Sequence, residues 1–227
     1  MSTYPTRTLK WNPAYRVIPS RFPAVGLFER VARPEDFDAL YALEAMTNDR
    51  IRDEVGEISL VPAEERLFGP GSTCIMAAFT HLNPLGSRFS DGRYGVFYCA
   101  RKRDTAIAET RHHAALFMAA TQEPSMRLQM RLYSVEANGK VADLRAASQA
   151  DPRIVDPDDY TYPQSIGRKL RSDGTQGILY PSVRHPGGEC LAAFRTGILR
   201  NCLHAAYLEY NWNGQGIDAV FEVNQVL

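Results

Sequence analysis

Residues 127–136 alternate: Leu128, Met130 and Leu132 fall on one side, Arg127, Gln129 and Arg131 on the other. That period of two predicts a half-buried strand. Asn138-Gly139 then reads as a hairpin turn, with 140–144 as the return strand. Short β-rich runs at 95–100, 177–180 and 189–194 predict three further strands. Two more, at 201–210 and 217–223, flank Asn211-Trp212-Asn213-Gly214 as a closing hairpin. Residues 15–18 predict a short strand ended by Pro19, and the polar residues 1–14, with Pro5 and Pro13, an arm over the surface.

Helical spacing appears at 34–46, where Phe37, Leu40, Tyr41 and Met46 follow an acidic first turn. It appears again at 106–120, capped by Asp104 or Thr105, with Ile107, Ala114, Phe117 and Met118 toward the core. A third helix is expected over 162–170. Residues 75–79 are an apolar run that fits strand or helix, residues 62–73 read as loop, and the Asp/Pro-rich 145–165 as loop with one helical turn. The pattern predicts an α+β fold, mostly antiparallel β core flanked by helices, in a single domain spanning 1–227.

Composition changes little. Lys+Arg and Asp+Glu both total 26, so bulk charge makes no case for nucleic-acid binding. Four cysteines without a C-x-x-C pair suit reduced thiols. The N-terminus shows no apolar leader and no run nears 18 apolar residues, so a cytoplasmic protein without membrane contact is expected.

Candidate chemistry gathers in 79–113. Arg88 sits on a Gly-bounded loop, where a guanidinium could grip a pyrophosphate or simply face water. Tyr98 lies on the following strand, able to stack on a nucleobase or nicotinamide ring or to fill the core. Glu109 follows an apolar helical turn; it is either a working carboxylate or an i,i+4 partner of His113 on a wet face. Glu109 and His112 form one E-x-x-H pair with no second, so no metal is expected. Ser182, at a strand end beside Arg184 and His185, lacks the G-x-S-x-G elbow of a hydrolase and suits phosphate or ribose binding. No P-loop or Rossmann fingerprint is present.

The joint spacing carries more than each residue alone. Gly86-Ser87-Arg88-Phe89, Tyr98 ten positions on, Ala106-Ile107-Ala108-Glu109 eleven further, and a late Tyr180-Pro181-Ser182 resemble the RES domain family, the toxins of Xre–RES toxin–antitoxin modules. Arg88, Glu109 and Ser182 match the family's Arg, Glu and Ser, Tyr98 its strand tyrosine, and Arg16 in Tyr15-Arg16-Val17 its N-terminal arginine segment. The likeness spans about 15–223, with 33–71 as a helical insertion and GSRFSDGRYG in place of the usual GGRWN-type loop.

The resemblance implies an ADP-ribosyltransferase-like fold and cleavage of the nicotinamide–ribose bond of NAD, by hydrolysis or phosphorolysis. It makes Arg88, Tyr98 and Glu109 catalytic, with Ser182, Arg16, Tyr98 and Arg88 holding NAD. NAD is then a substrate, inorganic phosphate a candidate co-substrate, and no cofactor is permanently bound. An Xre-type antitoxin is the implied partner, and a homo-oligomer is left open. The alternatives are a protein mono-ADP-ribosyltransferase on the same fold and a non-enzymatic nucleotide-binding or interaction module.

Overall fold

The computed structural model describes residues 4–20 and 56–224. Seven strands, β1 Thr6–Pro19, β2 Phe97–Ala100, β3 Met126–Asp143, β4 Gly177–Pro181, β5 Glu189–Ala193, β6 Leu199–Trp212 and β7 Ile217–Val223, form one sheet in the order β1-β2-β5-β4-β3-β6-β7. Every pairing is antiparallel except β3–β4. β1 also pairs with β3, so β1, β2, β5, β4 and β3 make a closed circuit of neighbours with β6 and β7 as an extension. Closure removes exposed edges from five of the strands. The α+β expectation with a mostly antiparallel core holds.

Two apolar clusters lie on opposite faces of the sheet. The first joins Leu9, Trp11, Phe97, Val135, Leu191 and Leu199 and is covered by α1 (Ser72–Thr80) through Ile75, Met76 and Phe79. The second joins Val96, Ala100, Leu132, Ile178, Tyr180 and Tyr210. It is covered by α2 (Arg103–Thr121) and, after the short α3 (Arg145–Ala150), by α4 (Thr161–Ser172). Alternation along β2 decides the division. Phe97 and Cys99 enter the first cluster, Tyr98 and Ala100 face the second.

Several boundaries differ from expectation. Residues 6–14 are not a surface arm: Thr6 to Trp11 pair with β3 from Ala142 back to Ala137, and a register shift sets Asn12-Pro13 outside the ladder before pairing resumes at Ala14. A proline, lacking a backbone donor, fits at such a break. Asn138-Gly139 is not a turn. β3 runs straight through it, paired with Lys10 and Leu9. Gly139 is needed for space: a Cβ there would lie 2.3 Å from Ile198 Cγ2. The residues 75–79 are helical, and 145–165 hold α3 and a 3₁₀ turn, Pro152–Val155, besides the start of α4.

Phe117 does not join the core stripe of α2 and is 54% exposed. At 100° per residue Ile107, Ala114 and Met118 align, and Phe117 falls about 80° away. The helix expected at 34–46 lies outside the described residues, as does most of the insertion; its described end holds two 3₁₀ turns, Ile58–Leu60 and Ala63–Glu65. Cys99, Cys190 and Cys202 are buried free thiols, as their apolar surroundings imply.

Candidate active site

The site is built where the second cluster meets the ends of β2 and β4. Tyr98 projects from β2 and its hydroxyl bridges the two residues flanking Arg88: it receives the Phe89 backbone N–H at 3.0 Å and meets Ser87 Oγ at 2.8 Å. Burial pushes this hydroxyl up to about 12, so it stays protonated at neutral pH. The loop is closed from outside by Gln164 of α4, whose Nε2 donates to the Ser87 carbonyl at 3.1 Å, and by the Tyr94 hydroxyl, which donates to the Phe89 carbonyl at 2.6 Å. Phe89 also meets Tyr180 edge to face, centroids 5.0 Å apart. Tyr98 therefore positions the arginine loop as well as presenting its ring. Tyr98→Phe is expected to lower stability by about 1–3 kcal/mol, because it leaves the buried Phe89 N–H unsatisfied. Urea unfolding of the two proteins measures this, and equal midpoints would remove the bridge from solution.

Arg88 is a buried cation, 7% exposed. Its Nη1 donates to the Asp156 carbonyl at 2.6 Å and its guanidinium lies 4.6 Å from the Tyr160 ring centroid. Among the described residues no carboxylate lies within 4.0 Å of it. A buried guanidinium satisfied by a carbonyl and a ring, and left without a counter-ion, suits an anionic ligand.

Glu109 sits in the second turn of α2 and reaches the turn after β4. Its Oε1 accepts three hydrogen bonds, from Ser182 Oγ at 2.5 Å, Val183 N at 3.0 Å and Arg184 N at 3.3 Å. Ser182 Oγ in turn receives the His185 N–H at 3.0 Å. All three bonds fall on one oxygen, and Oε2 takes none among the described residues. The carboxylate is held by one edge with the other free. Among the described residues no ion pair within 4.0 Å joins Glu109 to His113, so the i,i+4 pair is not formed. Burial pulls both His112 and His113 down from the ordinary imidazole value, with Glu109 acting against it.

Arg88, Tyr98, Glu109 and Ser182 thus converge. Burial pushes the neighbouring Tyr180 hydroxyl well up; Cys190, Glu109 and Tyr98 add to that and Arg88 opposes it. Arg16 is not brought into the group. Its guanidinium lies 4.5 Å from the Phe97 ring centroid, in the first cluster, and its Nη1 donates to the Tyr98 carbonyl at 2.9 Å. It braces the strand behind Tyr98 from the opposite face.

One neighbour carries more weight than its sequence position suggests. Arg184 Nη2 donates to the Pro157 carbonyl at 2.6 Å, so Arg184 and Arg88 are both capped by the segment 156–160. The Asp156 carboxylate folds that segment on itself by accepting from the Asp158 and Asp159 N–H groups. The Asp/Pro-rich composition was a signal of a built loop, but nothing local revealed what it covers.

A family model described as the RES domain matches residues 64–213. The chain belongs to the RES domain family. The match includes Arg88, Tyr98, Glu109 and Ser182 and leaves Arg16 outside. Among curated relatives, the uncharacterised protein y4oC of Sinorhizobium fredii is 29% identical, over 91% of this chain and 86% of its own. Among solved structures, the M. tuberculosis MbcT–MbcA toxin–antitoxin complex contains a chain that matches with a TM-score of 0.49 and 15% identity, over 91% of this chain and 87% of that one.

Proposed function

We propose that this RES domain protein is an NAD-consuming toxin of a toxin–antitoxin module that cleaves the nicotinamide–ribose bond. The observation that carries the reading is the Glu109 carboxylate, fixed through Oε1 by three donors and with none on Oε2 among the described residues, together with the buried Arg88, which among them has no carboxylate within 4.0 Å. Departure of nicotinamide takes the bonding electron pair to the ring nitrogen and leaves an oxocarbenium-like ribosyl cation. A preorganised carboxylate stabilises such charge without reorganising at the moment of reaction.

In this scheme Glu109 Oε2 faces the ribosyl cation or bonds a ribose hydroxyl. Arg88 holds the pyrophosphate, whose oxygen replaces the Asp156 carbonyl as the acceptor of the Arg88 guanidinium. Tyr98 packs its ring at the nicotinamide side, and Ser182 keeps Glu109 in register while lying next to the ribose or phosphate. A water or phosphate oxygen then forms the new bond to the ribosyl carbon, and the proton it sheds goes to solvent or a neighbouring base. The partner is an Xre-type antitoxin, which would act by blocking this pocket. The toxin–antitoxin setting of the solved neighbour concerns that protein; for this chain the partner rests on the family resemblance.

NAD labelled in its adenosine portion tests the reaction with purified protein, with and without inorganic phosphate. The expected result is stoichiometric release of nicotinamide with label in ADP-ribose or its phosphate adduct. Label retained on protein would instead make it a protein ADP-ribosyltransferase, and intact NAD would overturn the enzymatic reading.

A further inference from the structure

A second basic cleft lies away from Glu109. It opens at the Phe97–Ala193 end of the β2–β5 pair, whereas Ser182 follows the Pro181–Glu189 end of the adjoining β4–β5 pair. Its walls hold Glu65, Arg93, Tyr94, Arg171, Phe194 and Arg195 around about 390 Å³ of space that includes the open mouth. Three guanidiniums therefore face one carboxylate. Glu65 is engaged by Arg195 at 2.7 Å, and Arg93 lies 3.4 Å from Asp91.

Arg171 is the one left over. Among the described residues it has no carboxylate within 4.0 Å, and its Nε is buried with no hydrogen-bond partner. Its guanidinium rests 4.5 Å from the Tyr94 ring centroid. Burial and the neighbouring Arg195 both pull Arg171 down from the ordinary guanidinium value, opposed by Tyr94 and Glu65. Like charges gathered in a half-buried cleft cost free energy unless a counter-ion neutralises them.

We propose that this cleft is an anion site for a phosphate group, held by Arg171 and Arg195 with the aromatic wall of Tyr94 and Phe194 beside it. Paired guanidiniums match phosphate oxygens in geometry and charge. A phosphomonoester and free phosphate share this chemistry. The site is independent of the NAD reading and stands if that reading fails.

The test is calorimetric titration of the full chain with inorganic phosphate and, separately, with phenyl phosphate. Saturable binding is expected, with a component weakened at least about tenfold in Arg171→Gln, where a charge-assisted bond is lost, that persists in Arg88→Gln, the variant that removes any binding beside Glu109. Tighter phenyl phosphate would assign the aromatic wall to the ligand's body; equal affinity would assign the site to the phosphate alone. Phenylglyoxal labelling of the native chain, read by peptide mass, needs no variant: phosphate should protect Arg171 and Arg195 and leave the exposed Arg111 reactive. Absence of saturable binding, binding lost in Arg88→Gln but kept in Arg171→Gln, or an unprotected Arg171 would each overturn the assignment.

Discussion

Glu109→Gln should lower NAD turnover by about 10²–10³-fold while leaving the melting temperature close to that of the parent. The amide keeps an oxygen where Oε1 accepts from Ser182 Oγ and the Val183 and Arg184 N–H groups, so the turn after β4 retains its anchor. What is lost is the negative charge on the free edge. Glu109→Ala separates the two roles. It removes charge and acceptor together, strands three donors, and should cost stability by about 1–3 kcal/mol in addition to the rate. Turnover measured by nicotinamide release, beside thermal melts of both variants, decides the matter. A Glu109→Gln protein as active as the parent would remove Glu109 from the chemistry.

Gly167→Ala is expected to be destabilising although it places a better helix former inside α4. A Cβ at 167 would lie 2.2 Å from the Phe89 carbonyl oxygen and 2.8 Å from its carbon, backbone atoms that cannot rotate aside. Helix propensity favours alanine by about 1 kcal/mol, against about 1–3 kcal/mol for overpacking of this kind. For a chain of this size the melting temperature falls roughly 2–4 °C for each net kcal/mol. The larger effect is on turnover, because the displaced residue adjoins Arg88, and misplacement of about 1 Å in a catalytic group can cost about 10²-fold. Assays run well below the melting temperature separate the two effects. A variant with unchanged turnover would show that α4 does not set the arginine loop.

The core of the site was legible because its residues follow local rules. Arg88 on a Gly-bounded loop, Tyr98 in a β-rich run and Glu109 on a helix each sit on the element that the pattern predicts, and Ser182 falls at a strand end as expected. Their convergence was implied by the family resemblance that their joint spacing carries, since singly each has an ordinary alternative. What stayed hidden depends on partners distant in sequence. The polar first half of β1 is strand only because β3 pairs with it, and Asn138-Gly139 reads as a turn unless the Ile198 side chain against it is known. The segment 156–160 gives no local hint that its carbonyls cap two arginines. Arg16 shows the converse failure: a charged residue in a family-like segment, turned to the other face by the alternation of its strand.

The circuit of strands sets when the pocket can exist during synthesis. β1 is made early but waits for β2, some eighty residues on, and for β3 beyond it. Glu109 waits a further 73 residues for Ser182. Non-local pairings of this kind form late and slowly. A growing chain that has not yet extended past the turn after β4 holds the carboxylate without its anchor, so the proposed activity would wait for residues 182–184 to be made and folded.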